Sequence, residues 1–145
     1  MDYMEVALNE ARIAYENGEA PVGAVLVKDN RIIAKAHNQR EEKNDISSHA
    51  EIEVLRLGAK SLGSWSLDDC KLYVSLEPCL MCAGAIIQAR IGTLIYGADN
   101  LEDGAQSKYG VFSHEKLLVY RGEHKEEAEK LLKDFFHSLR KQKSL

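Results

Sequence analysis

The stretch Cys70–Tyr96, CKLYVSLEPCLMCAGAIIQARIGTLIY, contains the pattern of a strand, a helix and a second strand in direct succession. Cys70–Leu76 is rich in residues typical of buried strands, and Ile91–Tyr96 repeats that character. Between them, a helix is expected from Pro78 to about Arg90, because proline is well suited to the first helical turn. A crossover of this kind joins parallel strands and packs its helix on one face of the sheet.

The remaining segments extend this unit into an α/β domain. In chain order, we predict a helix over residues 2–17, strands over Val22–Val27 and Arg31–Ala36 with a tight turn at Asp29-Asn30, a polar loop over Asn38–Ser48, a helix over His49–Leu62, a loop over Asn100–Gly110, a strand over Leu117–Tyr120 and a helix from Glu123 to about Lys141. This order predicts a three-layer α/β/α sandwich around a mixed five-stranded sheet, as one domain over residues 1–145.

Composition and charge favour an ordinary globular protein of the cytoplasm. The chain has 145 residues, a net charge of −4 and three cysteines, an odd number that does not suggest a disulfide framework. Residues 1–5 lack the basic start of a secretory signal, and no apolar run is long enough to span a membrane. The acidic balance argues against strong non-specific binding to nucleic acid, although the segment Arg140–Lys143 is basic.

The most informative residues are His49-Ala50-Glu51 and the later Pro78-Cys79-Leu80-Met81-Cys82. His49, Cys79 and Cys82 are the residue types that bind zinc, and three protein ligands leave the fourth tetrahedral position open for water. A zinc site with an open position is typical of catalysis, since the ion lowers the pKa of its water to roughly 7. Glu51, two residues after the histidine, is the candidate that moves protons at that water.

Each of these residues also has a simpler interpretation. Glu51 follows Ser48 by three residues, which is the spacing of a helix capping box. Cys79 and Cys82 alone are compatible with a redox pair or with half of a structural zinc site. A structural site needs a fourth ligand, and Cys70 is the obvious candidate, but its apolar surroundings in the sequence favour a small core residue.

The combination of these motifs resembles the signature of zinc-dependent nucleobase deaminases, H-x-E followed by P-C-x-x-C. Nearly the whole chain is similar to the bacterial TadA-type tRNA adenosine deaminases, a branch of the cytidine deaminase-like superfamily. The stretches that carry this resemblance are Glu19–Val27, His49–Ile52, Leu76–Ala85, Ala89–Ile91, Tyr96–Ala98 and Phe135–Arg140.

The resemblance implies hydrolysis of adenosine to inosine at the wobble position of a tRNA anticodon stem-loop, by a homodimer with one Zn²⁺ per subunit. It implies that His49, Cys79 and Cys82 hold the zinc and that Glu51 shuttles protons. The residues implied to bind the substrate are Asn38, which would hydrogen-bond the flipped nucleotide, Val22 and Ala50, which would contact its base, and Phe135, Phe136 and Arg140, which would touch the anticodon loop. Val22 and the phenylalanines are also compatible with plain packing.

Two departures from the family pattern keep other functions open. Ile46-Ser47-Ser48 replaces the usual residues before the histidine, and Gly104–Gly110 replaces a longer stretch between Ala98 and His114. A deaminase of a free base or nucleoside, such as guanine, cytosine or cytidine, is therefore the alternative enzyme. A non-catalytic zinc-stabilised binding module is the alternative outside enzymes, and it would require a fourth protein ligand.

Overall fold

The computed structural model describes residues 1–143, so the last two positions of the predicted domain lie outside the described residues. Its centre is a five-stranded sheet with strand order β2-β1-β3-β4-β5. The strands are β1 (Gly23–Lys28), β2 (Arg31–His37), β3 (Lys71–Leu76), β4 (Thr93–Ala98) and β5 (Leu118–Arg121). β1 is antiparallel to β2 and β3, whereas β3, β4 and β5 run parallel. The predicted mixed five-stranded sheet is confirmed.

In the described residues, six helices and one short 3-10 turn accompany the sheet. They are α1 (Tyr3–Glu16), α2 (Arg40–Lys43), α3 (Ala50–Leu62), α4 (Leu80–Gln88), α5 (Ala105–Tyr109), the 3-10 turn Val111–His114 and α6 (Lys125–Lys143). The four longer helices were predicted, with ends that differ by at most two residues. None of the helices in the described part of the chain is long and apolar enough to cross a membrane.

The two faces of the sheet pack against different helices, because side chains alternate between faces along each strand. Ala24 and Leu26 of β1 lie in the larger core cluster with Val54 of α3. Their neighbours Val25 and Val27 instead lie in the cluster built on α1. α4 joins α3 on the first face, and α6 joins α1 on the second. The predicted three-layer sandwich is therefore confirmed.

Two backbone details hold β1 in place. Asp29 and Asn30 both have positive φ values, 52° and 61°, as a type I′ hairpin turn requires. A Cβ atom at Gly23 would lie 1.9 Å from the carbonyl oxygen of Ala7. Only glycine therefore allows α1 to lie this close to the start of β1.

Two predicted loops contain short helices. α2 lies in the predicted loop Asn38–Ser48, and α5 lies in the predicted loop Asn100–Gly110, with the 3-10 turn directly after it. Helices of four or five residues are too short to produce a recognisable apolar period. Both are tied to buried carboxylates from other parts of the chain: Glu19 accepts from the backbone at the start of α2, and Glu77 accepts from the backbone of α5.

The bounds of two longer helices also needed correction. α4 begins at Leu80 and not at Pro78, because Cys79 has an extended backbone with φ −76° and ψ 176°. α6 begins at Lys125 and not at Glu123, because Gly122 and His124 adopt left-handed conformations with φ values of 93° and 54°. Neither conformation fits inside a right-handed helix.

Candidate active site

Two helix starts bring three potential metal ligands together. His49 is the residue that precedes α3, and Cys79 is the residue that precedes α4. Cys82 lies one turn further along α4, so its side chain returns to the same side as that of Cys79. Nδ1 of His49 lies 3.7 Å from Sγ of Cys79 and 3.5 Å from Sγ of Cys82.

The geometry of this group fits a metal ion. The three ligand atoms lie within 4.8 Å of one another, and one imidazole nitrogen with two sulfurs is a donor set that zinc prefers. Cys70, the alternative fourth ligand, is 1% exposed and belongs to the core cluster on the α3 face of the sheet. In the described residues it does not join the group of His49, Cys79 and Cys82. Three protein ligands leave one position for a water or a substrate atom.

The groups around Cys79 and Cys82 shift the pKa values of these two cysteines in opposite directions. The thiol of Cys82 hydrogen-bonds the sulfur of Cys79, and His49 adds a second hydrogen bond, which together lower the pKa of Cys79 to about 4. The same contact raises the pKa of Cys82, because a second thiolate beside the first is unfavourable. The lowered pKa of Cys79 favours its thiolate form, which is the form that binds zinc, and binding of the metal would release the proton that the raised pKa of Cys82 retains.

Glu51 lies in the first turn of α3, beside the ligand group. Its side chain is buried, with the residue 4% exposed, and burial raises its pKa to about 7. A carboxyl group with this pKa can both bind and release a proton near neutral pH.

The capping-box interpretation of Glu51 is wrong. His49, not Ser48, precedes the first residue of α3. The backbone N–H of Ser48 donates to the carbonyl oxygen of Asp45, so it does not bond the Glu51 carboxyl group. The carboxyl group of Glu51 is therefore not needed to complete the start of the helix.

A cavity of about 420 Å³ lies at these groups. His49, Cys79 and Glu51 line it, and so do the predicted substrate residues Val22, Asn38, Ala50 and Phe136. Arg140 lies outside it, on a second cavity of about 520 Å³. The two cavities share Ala20, Asn38, Arg40 and Phe136, so they form one continuous depression.

The two adjacent phenylalanines of α6 have different surroundings. Phe135 packs edge-on against Tyr15 of α1, with ring centroids 5.9 Å apart. Phe136 is 48% exposed and lines both cavities. The packing interpretation therefore fits Phe135, whereas Phe136 is available to a ligand.

Several cavity residues were not predicted from the sequence. Arg40 of α2, Leu132 of α6 and the acidic stretch Asp99–Asp103 all line the first cavity. Asp99–Asp103 follows β4, which is parallel to β3. Since ligands bind beyond the carboxyl ends of parallel strands, this position was a usable signal. Arg40 and Leu132 carried no local signal, because tertiary packing alone brings them to the cavity.

Comparisons with known proteins agree with this geometry. Residues 1–140 match the family model of the MafB19-like deaminases. The chain is 46% identical to the tRNA-specific adenosine deaminase of Agrobacterium fabrum, over 95% of this chain and 94% of that protein. It is also 46% identical to a solved structure from a study of A-to-I editing by tRNA:A34 deaminases, with a TM-score of 0.87 over 90% of this chain and 98% of that one.

A guanine deaminase from Bacillus subtilis is a more distant structural relative. It is 36% identical and has a TM-score of 0.66, over 79% of this chain and 69% of that one. The fold of the present chain is thus the cytidine deaminase-like fold that the resemblance implied. With the family match and the identity of the tRNA deaminases over almost the full length, the chain belongs to the MafB19-like deaminases and, among them, to the tRNA-specific adenosine deaminases.

Proposed function

We propose that this protein is a zinc-dependent aminohydrolase that converts adenosine to inosine at the wobble position of a tRNA anticodon. The observation that carries the proposal is that His49 and Cys79, which form one group with Cys82, line the same cavity as the buried residue Glu51. Two relatives named for deamination of tRNA match the chain at 46% identity over at least 90% of its length.

The reaction replaces the amino group at C6 of adenine with oxygen from water and releases ammonia. A zinc ion held by His49, Cys79 and Cys82 would act as a Lewis acid that makes water a nucleophile at neutral pH. Glu51 would accept one proton from the attacking water and pass it to the ring nitrogen N1. It would then accept the second proton, from the hydroxyl group added at C6, and pass it to the amino group, which leaves as ammonia. Its pKa of about 7 suits both directions of transfer.

The walls of the cavity supply contacts for the base and its ribose. Val22 and Ala50 offer apolar surface beside Glu51, which suits the faces and edges of a purine. The amide nitrogen of Asn38 points to Oε1 of Glu19 at 3.5 Å. This contact orients the amide of Asn38 and leaves its oxygen as the acceptor for a donor on the nucleotide.

The second cavity supports an RNA substrate. Arg40 and Arg140 line it together with Phe135 and Phe136. Guanidinium groups bind phosphates, and aromatic rings stack on unpaired bases, which is how proteins recognise RNA loops. The segment Asp99–Asp103, which lines only the first cavity, is acidic. This distribution of charge would direct the RNA backbone to the Arg40 side and away from the acidic wall.

We also propose that the enzyme acts as a homodimer in the cytoplasm, where its tRNA substrate would be available. Leu80 and Met81 of α4 are 47% and 37% exposed. A Cβ atom at Gly84 on the same helix would meet nothing within 4 Å. This surface is apolar and open, as a subunit contact requires.

The deciding experiment is an assay of inosine formation in an anticodon stem-loop with adenosine at the wobble position. Zinc-loaded protein is incubated with the RNA, the RNA is digested to nucleosides, and inosine is quantified by mass spectrometry. Free adenine, guanine and cytosine and their nucleosides are assayed in parallel. We expect inosine in the RNA with the wild type and none above background with Glu51→Ala.

The parallel assays test the alternative deaminase. The acidic wall of the cavity and the likeness to a guanine deaminase are the observations that favour a free base. Turnover of a free base without inosine in the RNA would contradict the proposed substrate. It would leave the roles of Glu51 and the three ligands intact.

A further inference from the structure

Glu77 is a buried carboxylate that the proposed chemistry does not use. It lies between the end of β3 and Pro78, two residues before Cys79, and is 1% exposed. Both of its oxygens accept hydrogen bonds from the segment that follows β4. Oε1 accepts from the N–H of Asn100 at 3.0 Å and from the hydroxyl of Ser107, and Oε2 accepts from the N–H groups of Gln106 at 3.0 Å and Ser107 at 2.7 Å.

Backbone contacts reinforce the same connection. The N–H of Ala105 donates to the carbonyl oxygen of Pro78 at 2.9 Å, and Cys79 forms a β-bridge with Gly104. A Cβ atom at Gly104 would lie 2.3 Å from Oε2 of Glu77. Glycine at this position is therefore what lets the segment approach the carboxylate closely.

The segment held in this way is one wall of the reaction cavity. Asp99–Asp103 lines the cavity, together with Glu77 itself. The four hydrogen bonds to the Glu77 carboxylate hold this segment at Asn100, within the wall, and at Gln106 and Ser107, just after it. Hydrogen bonds with a charged acceptor are stronger than neutral ones, and a buried N–H that loses its partner is costly. The wall therefore depends on Glu77 for its position.

We propose that Glu77 is a positioning residue, which fixes the segment 99–107, and with it the cavity wall 99–103, relative to the proposed metal ligand Cys79 and so sets the space available to the nucleotides beside the reactive adenosine. This inference rests on the proposed function for its substrate, but the position of the wall can be measured without any substrate. The side chain of Glu77 bonds Asn100, Gln106 and Ser107, so its effect is transmitted through that segment.

The test compares the wild type with Glu77→Gln by hydrogen–deuterium exchange, metal analysis and steady-state kinetics. Glutamine preserves the size of the side chain but replaces one acceptor oxygen with an NH₂ group, which would face N–H donors. We expect at least tenfold faster exchange at the amides of Asn100, Gln106 and Ser107, with zinc content unchanged. On the RNA stem-loop we expect at least a tenfold lower kcat/KM, mainly through a higher KM.

Two further variants keep the test decisive if Glu77→Gln folds poorly. Gly104→Ala pushes the wall away from an intact carboxylate and should reproduce the faster exchange and the higher KM. Ser107→Ala removes one hydroxyl donor only, so its effect should be the same in kind and smaller. Ile95→Val, in the core cluster on the α1 face, is the control for a general loss of stability. It should leave the exchange of these three amides and KM unchanged.

The outcomes separate the two proposals. Wild-type exchange rates at Asn100, Gln106 and Ser107 in Glu77→Gln would overturn the positioning role. Faster exchange with unchanged KM in an active enzyme would also overturn it, because the wall would then not affect substrate. Failure of the wild type to form inosine would instead contradict the proposed function, while the exchange rates would still decide whether Glu77 holds the wall.

Discussion

Nδ1 of His49 lies 3.5 Å from Sγ of Cys82, although 33 residues separate them in the chain. The contact exists because α3 and α4 begin side by side on the same face of the sheet. It makes the metal group dependent on two helix starts that the sheet holds at a fixed distance.

Substitution of Cys82 by serine should abolish stable metal binding. Zinc binds the deprotonated thiolate of cysteine, whereas a serine hydroxyl stays protonated at neutral pH and is a poor ligand. Loss of a residue that only hydrogen-bonds a metal ligand already weakens metal affinity by about 10–100-fold, so loss of the ligand itself should weaken it further. The measurement is zinc content after dialysis against a weak chelator. Cys70→Ala is the matched control and should retain zinc, since Cys70 lies in the core.

Substitution of Glu51 by glutamine should preserve the metal and remove most of the turnover. The amide has nearly the same size but cannot carry protons, and general acid–base catalysis contributes about 10²–10⁴-fold to a rate. Zinc content and the kcat for inosine formation are measured on the same preparation. Wild-type turnover in a fully zinc-loaded Glu51→Gln protein would refute the proton-shuttle role.

The burial of Glu51 should also appear in the pH dependence of stability. Its pKa rises from 4.5 in the unfolded chain to about 7 in the folded chain. Between these values the folded state binds more protons than the unfolded state, so stability falls as pH rises from about 4.5 to 7.

The measurement is the Tm of metal-free protein at pH 5 and pH 8. The Tm of Glu51→Gln minus the Tm of the wild type should be more positive at pH 8 than at pH 5. At pH 8 the wild type must bury an ionised carboxylate at position 51, whereas the variant has no group there that ionises. An equal difference at both pH values would mean that burial does not raise the pKa of Glu51.

The fold could be predicted wherever a segment was long enough to show its own period. The apolar face of α3 (Ile52, Leu55, Ala59 and Leu62) indicated a helix, and the apolar run at β1 indicated a buried strand. α2 and α5 could not be predicted, because Glu19 and Glu77 hold them from distant positions in the chain.

In the candidate site, too, some residues could be predicted from local sequence and others could not. His49, Glu51, Cys79 and Cys82 stand close to each other in two short motifs, so residue type and spacing were sufficient to propose them. Glu77 was part of a recognised stretch, yet its role depends on bonds to residues 23 to 30 positions later. Contacts of that range become visible only when β3 and β4 lie side by side.

Phe136 and Phe135 provide a further test of the proposal that the second cavity binds RNA. Phe136→Ala should raise KM for the stem-loop by about tenfold, since stacking on a base contributes about 1–3 kcal/mol. It should change the free energy of unfolding by no more than about 0.5 kcal/mol, because nearly half of the residue is exposed.

Phe135→Ala is the matched control, because it removes the packing against Tyr15. We expect it to lower stability by at least about 1 kcal/mol. If Phe136→Ala and the wild-type enzyme have the same KM for this stem-loop, Phe136 does not contribute to RNA binding.

The proposed metal ligands and Glu51 lie at the starts of helices packed on the sheet, whereas α2, the segment 99–103 and α6 contribute to the cavity walls. These walls can therefore diverge during evolution while the reaction centre stays constant. Replacement of the segment 99–107 alone, with its carboxylate anchor retained, offers a route to new nucleobase substrates on an unchanged hydrolytic scaffold.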